Sequence, residues 1–215
     1  LEGRSRKNPL TALSRWKVFD NLRRSLAPVA LTLLLVLGWL VLATPGFWTL
    51  GVLGILLLPP VITSFPGMVR KPGDIGWRQH LTAAARSLLQ QLANEVFTLA
   101  CLPYEAFFSL DAIARTMWRM VVSGRGLLEW TPSTDAERQK RGGLAGFYRT
   151  MAGAPTLAAL TGAGLASLNP AALAVAGPIL LLWSLAPGIA WWLSRPSARR
   201  EARLSDEQQR FLRAN

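Results

Sequence analysis

Two stretches, Leu26 to Val69 and Thr150 to Ser194, contain no Asp, Glu, Lys, Arg or His in a chain whose formal net charge is +12. A hydrocarbon core about 30 Å thick takes roughly 20 helical residues, so each stretch is too long for one crossing. Each is broken midway by a turn signal, Thr44-Pro45-Gly46 in the first and Ser167-Leu168-Asn169-Pro170 in the second. Both read as transmembrane helical hairpins. The expected fold class is all-α integral membrane, with two hairpins (about four spans) and intervening amphipathic interfacial helices.

A hydrophobic share of 51% with 17% charged residues, arranged as apolar blocks between basic ones, suits an integral membrane protein better than a soluble domain. The basic residues flank the apolar spans, as Arg23 and Arg24 do ahead of Leu26 and Arg195 does after Leu193. Nucleic-acid binding would instead gather them on one soluble face, so a bilayer is the expected partner and nucleic acid is not. Cys101 is the only cysteine, so no disulfide forms within the chain, and its apolar run from Phe97 makes it a small buried hydrophobe. His80 is also single, without the neighbours a metal site needs. It reads as an interfacial residue at a helix start.

Five regions follow: a basic interfacial helix or linker over 1–25, hairpin 1 over 26–69, and amphipathic helices with a loop over 70–149. Hairpin 2 covers 150–194 and a linker covers 195–215. Arg4 to Arg24 carry seven basic and one acidic side chain, and Leu10, Leu13, Trp16 and Phe19 recur at helical spacing. This is either a short amphipathic helix on the membrane surface or a disordered basic tail. Arg15, Trp16, Lys17, Arg23 and Arg24 are the candidate contacts to headgroups or to a neighbouring domain. Pro59-Pro60 is expected to disturb the end of the second span. Uncharged tips and basic flanks place both ends of each hairpin in the cytoplasm.

The middle region must then cross an even number of times, and zero is favoured. Leu81, Ala85, Leu88, Leu92, Val96 and Leu99 form one helical stripe, and after Pro103 a second helix puts Leu110, Ile113, Met117 and Val121 opposite Asp111, Arg115 and Arg119. Spanning there would bury such charges at a cost of roughly 2.5–3.5 kcal/mol each on insertion scales. In the second hairpin, Ala154, Ala158, Gly162 and Ala166 put small residues along one face, which permits close helix contact. An Ala-rich span with no chosen partner has the same pattern. Trp191 and Trp192 beside Arg195 form a membrane-interface anchor, and Pro178 and Pro187 are expected to kink the last helix.

No phosphate loop, catalytic triad or metal-ligand cluster is present, and there is no Asp-x-Asp pair for a nucleotide-sugar transferase. No residue is a catalytic, cofactor-binding or metal-ligating candidate. Four passages nevertheless look familiar together: NPLTALSRWKVFDNLRR from Asn8 to Arg24, LPYEAF from Leu102, LLEWT from Leu127 and WWLSRP from Trp191. They resemble the membrane region of bacterial cyclic β-1,2-glucan synthases, over nearly the whole chain. The resemblance implies a large inner-membrane enzyme whose cytoplasmic transferase extends a protein-attached glucan from UDP-glucose, with a divalent metal in that transferase and not in this segment. The transferase would precede Leu1. A glucoamylase-like domain, approached by Leu204 to Leu212, and a phosphorylase-like region would follow. The chain, which opens on Leu1, then reads as a fragment whose partners are those domains and the nascent glucan. Tyr104 and Tyr148 invite a role as the glucan-carrying residue, but tyrosines also gather at the water interface unmodified.

A transport module would need polar or aromatic side chains facing inward within the spans, for which Thr32, Trp39, Thr161 and Trp183 are the candidates. A plain membrane anchor or assembly protein is the third alternative.

Overall fold

A computed structural model describes residues 11–69, 76–124 and 143–195. Six α-helices make up the described chain: α1 (Ala12–Leu40), α2 (Pro45–Val69), α3 (Trp77–Trp118), α4 (Gly143–Thr150), α5 (Gly153–Leu168) and α6 (Leu173–Leu193). A π-helical turn, Arg119–Ser123, extends α3, and a 3-10 turn, Pro170–Ala172, precedes α6. The described residues contain no strand. The loop passage LLEWT and the basic residues Arg138, Lys140, Arg141, Arg199 and Arg200 lie outside the described residues. So does Leu204 to Leu212.

Both hairpins form where the charge-free stretches place them. The first turns at Thr44, whose φ of 59° is the left-handed region, and the second at Asn169 and the 3-10 turn. Positive φ is a strained conformation for a β-branched residue, and Pro45 opens α2 directly after it. Near that tip α1 and α2 touch closely, because a Cβ on Gly38 would lie 2.7 Å from Trp48 Cβ. The tips are neighbours: Asn169 Nδ2 donates to the carbonyl of Trp39, one of the last in α1, at 3.5 Å. Helix ends leave such carbonyls without intrahelical partners, and the turn of hairpin 2 supplies a donor to hairpin 1.

The expected short amphipathic helix and the first span are one helix. Thr11 caps it, accepting from Ser14 N at 3.2 Å, and Pro28 sits inside it. Proline removes one N–H and normally weakens a helix interior by about 3 kcal/mol. The carbonyl that Pro28 leaves without a helical donor is that of Arg24; separately, Thr32 Oγ1 donates to Pro28 O at 2.8 Å and, in α2, Thr63 Oγ1 to Pro59 O at 2.9 Å. The expected disturbance at Pro59-Pro60 does not end α2, which continues to Val69.

The core joins hairpin to hairpin through two tryptophans. Trp39 and Trp183 are both fully buried, with ring centroids 5.6 Å apart at 46°. Around them pack Leu35, Val52, Leu99, Leu102, Leu165 and Leu180. Each indole N–H is used: Trp39 donates to Thr49 Oγ1 at 2.8 Å, and Trp183 donates to the backbone carbonyl of Leu99 at 3.0 Å. Leu99 is the residue one turn before Pro103. Its helical donor would be the N–H that Pro103 lacks, so Trp183 replaces the missing bond from another helix.

This replacement corrects the expectation of two helices divided at Pro103. α3 is a single helix through that residue, and Pro103 is fully buried inside it. Three contacts locate α3 against the hairpins. His80 Nε2 lies 3.3 Å from the carbonyl of Met68, Tyr104, Glu105 and Phe108 share a groove with Arg24 and Pro28, and Phe107 meets Gly153. At 1.5 Å per residue, Met68, Arg24 and Gly153 stand about 34, 24 and 22 Å along their helices from the tips. Trp183, the partner of Leu99, stands about 15 Å along α6. α3 therefore touches the base half of the hairpins towards both of its ends and packs its middle into the core between them.

Four helical segments are long and apolar enough to cross a membrane: α1, α2, α3 with its π turn, and Pro170–Leu193. α4 and α5 pass the same test together but bend by 64° at the break between them. α3 thus meets the length criterion along with the hairpin helices.

Trp183→Phe leaves the Leu99 carbonyl buried without a donor, at a cost of roughly 1–3 kcal/mol. Pro103→Ala returns an N–H to that carbonyl, so Trp183→Phe costs less in that background. Unfolding of the four proteins of this cycle in detergent is expected to show a coupling of roughly 0.5–3 kcal/mol. Strictly additive losses would mean that the two residues do not share the bond.

Candidate membrane-interface site

The charged residues that flank the hairpins sit at the base ends of their helices, where the sequence reading placed them, and others lie along α3. Arg15, Trp16 and Lys17 are exposed on the first turns of α1, and Trp16 meets Phe19 with centroids 5.9 Å apart. An exposed aromatic pair between cations suits the headgroup layer, which takes amphipathic rings and positive charge together. Arg23 and Arg24 are also exposed, but neither is an isolated cation. Asp20 accepts from Arg23 at 2.9 Å and from Arg24 at 2.8 Å. The signal for this was in the sequence, since acid-to-base spacings of three and four residues share a helix face; the reading of Arg23 and Arg24 as free contacts omitted it.

At the end of α6, Arg195 lies over the ring of Trp191, 3.7 Å from its centroid, while Trp192 is 64% exposed. The two tryptophans thus face differently, one holding the arginine and the other open to the surroundings. Tyr148, on α4, is 36% exposed and donates to the carbonyl of Ser184 at 3.3 Å. His80 starts α3 beside Trp77, and Cys101 is buried among Ala100, Met151 and Ala186.

On α5 the small residues divide. Ala154 and Ala158 are buried, Gly162 is half-buried, and Ala166 is exposed. A Cβ added at Gly162 would meet Leu180 Cδ1 at 3.8 Å, an ordinary van der Waals contact. A step of four residues turns an α-helix by about 40° beyond a full circle, so three steps carry Ala166 well away from the face that Ala154 started. The buried row instead continues through Thr161 and Leu165.

A groove of about 360 Å³ opens between α1 and α3, lined by Arg24, Ser25, Pro28, Tyr104, Glu105 and Phe108. Tyr104 and Phe108 stack one turn apart, with centroids 6.3 Å apart at 28°. Sequence reasoning weighed Tyr104 and Glu105 separately and did not join them to Arg24. They are some 80 positions apart, and only the crossing of α3 over α1 brings them together. A second notch of about 290 Å³ lies between α2 and α3, lined by Ser64, Gly67, His80, Ser87 and Gln91. Among the described residues, no group of three or more His, Cys, Asp or Glu is placed to hold a metal ion.

The sequence has a counterpart among known proteins. The chain is 33% identical, over 201 residues, to the cyclic beta-(1,2)-glucan synthase NdvB of Rhizobium meliloti (strain 1021). The chain is related to a stretch of a cyclic β-1,2-glucan synthase. The match covers 92% of this chain and 7% of the relative, so the chain spans a small part of the relative's length. No protein-family model matches it. The resemblance carried by Asn8 to Arg24, Leu102 to Phe107, Leu127 to Thr131 and Trp191 to Pro196 agrees with this relationship.

The division of the α5 stripe has a measurable consequence. Ala158→Leu overpacks the junction of the hairpins and is expected to cost roughly 1–3 kcal/mol, whereas Ala166→Leu, at an exposed position, stays within about 0.5 kcal/mol. Thermal unfolding in detergent distinguishes the two.

Proposed function

We propose that this chain is the membrane-spanning segment of a cyclic β-1,2-glucan synthase and anchors a UDP-glucose-dependent glucosyltransferase at the bacterial inner membrane. The relationship to that synthase over 92% of the chain carries the reading. The catalytic work, with its divalent metal, belongs to the transferase domain of the same polypeptide. The glucoamylase-like and phosphorylase-like domains are further partners, and this segment holds the set at the lipid surface. Both hairpins enter from the cytoplasm, where basic residues flank them, and both chain ends stay there. α3 braces the base of the hairpins without crossing.

The conduit reading has less support. Trp39 and Trp183 spend their indole N–H groups on Thr49 and Leu99, and Thr32 bonds to Pro28. The in-span polar groups that a glucan path would use are therefore engaged in packing, and all four candidates, Thr161 included, are buried.

Two measurements test this. In the complete protein, removal of residues 26–194 is expected to abolish transfer of labelled glucose from UDP-glucose into β-1,2-glucan in membranes; a folded, present deletion protein with full activity refutes the anchoring role. In a Cys101→Ser background, Gly46→Cys and Ser167→Cys should react with an impermeant maleimide added outside spheroplasts. Gly76→Cys and Gly124→Cys should both be protected, because α3 begins and ends on the cytoplasmic side. Labelling of Gly124→Cys alone from outside would make α3 a crossing helix.

A further inference from the structure

The groove between α1 and α3 holds a combination of groups that the anchoring role does not require. Glu105 is half-buried, and among the described residues its carboxylate has no hydrogen-bond or ion-pair partner. Leaving a partly desolvated carboxylate unpaired is costly. Beside it stand the stacked rings of Tyr104 and Phe108, the latter 65% exposed. Pro28, on the facing wall, has no N–H to give to the carbonyl of Arg24 one turn back. The groove thus gathers a carboxylate, a backbone carbonyl released by proline and two π-faces, and each of these attracts a cation.

One wall carries the opposite chemistry. Arg24 uses Nε for Asp20 at 2.8 Å, which leaves its terminal nitrogens as donors for an anionic oxygen. A ligand that satisfies the groove therefore has a cationic nitrogen and an anionic oxygen close together. The location narrows it further. Arg24 is the last charged residue before the uncharged stretch that begins at Leu26, so the groove opens at the headgroup level. Its volume of about 360 Å³ lies at the small end of ligand-holding clefts and suits a headgroup better than a large ligand.

We propose that the groove formed by Arg24, Pro28, Tyr104, Glu105 and Phe108 binds a zwitterionic phospholipid headgroup, with the ammonium against Glu105 and the aromatic pair and the phosphate on Arg24. The lipid then fills the junction between the first span and α3 and ties α3 to the membrane surface. A purely anionic headgroup places its phosphate on Arg24 but leaves Glu105 unpaired and repelled. This site stands independently of the glucan-synthase reading, since it depends only on the local chemistry.

Native mass spectrometry of the full chain, released from micelles containing equimolar phosphatidylethanolamine and phosphatidylglycerol, tests it. The wild-type protein is expected to retain phosphatidylethanolamine roughly tenfold over phosphatidylglycerol, the change in equilibrium that one charge-assisted contact brings. Glu105→Gln, which keeps the shape, should erase that preference, and Phe108→Ala should weaken ethanolamine-lipid retention. Arg24→Ala should weaken both lipids, and Arg115→Ala, outside the groove, should change nothing. Circular dichroism confirms that each variant is folded. Equal retention of the two lipids by the wild type overturns the proposal, as does an unchanged preference in Glu105→Gln. Displacement of bound lipid by the β-1,2-linked disaccharide sophorose, in the wild type and not in Glu105→Gln, would overturn it in favour of a sugar site.

Discussion

The hydrogen bond from the Trp183 indole to the Leu99 carbonyl, 3.0 Å long and buried, is the contact on which the arrangement of the helices depends. Pro103 withdraws the donor that α3 would have supplied to that carbonyl, and an unsatisfied carbonyl in an apolar bundle costs roughly 1–3 kcal/mol. Satisfying it from α6 requires α3 to press its middle against hairpin 2 at one register. The same tryptophan stacks obliquely on Trp39 of α1, so one side chain sets three helices against one another. Bonds of this kind suit a membrane, where apolar contact alone gives little preference for one helix partner over another because lipid tails are equally apolar.

Prolines elsewhere in the chain are accompanied by a local contact of a different kind. At Pro28, Pro45 and Pro59, a threonine four residues on turns its hydroxyl back to the proline carbonyl. Thr49 does so while also receiving the Trp39 indole, joining the tip of α2 to the core. α1 runs on through Pro28 and α2 through Pro59, although these bonds do not replace the donor that each proline withholds from the carbonyl one turn earlier. Charge has a different distribution. Among the described residues it lies at the base ends of the hairpins and along α3, where Glu95 and Glu105 are half-buried.

How much of this was legible in the sequence differs from element to element. The hairpins were, because a charge-free stretch of twice the bilayer thickness with a Thr-Pro-Gly or Asn-Pro turn has few other solutions, and α5 and α6 begin and end near the expected residues. The continuity of α1 back to Ala12 was not, since Leu26 marks a change of environment and not of backbone. The division of α3 at Pro103 was read from a sound local rule that a distant tryptophan overrides. Ala166 was grouped with Ala154 by spacing, and helical drift turns it out of the buried face. Asp20 was legible as a bridge to Arg23 and Arg24, and its omission made those arginines look freer than they are. The Arg24–Glu105 groove was not legible at all.

By itself the sequence determined the class of protein, the two hairpins, the clustering of charge at their ends and the relationship to a glucan synthase. These depend on composition and on residues near one another in the chain, and the cost of placing charge in hydrocarbon allows few alternatives. Tertiary structure alone decided that α3 is one helix, that its middle packs in the core between the hairpins and that Arg24 and Glu105 line one groove. Those outcomes rest on partners some 80 residues apart, Trp183 for Leu99 and α3 for α1, and a chain carries no local record of which distant donor will reach a carbonyl that its own proline has left free.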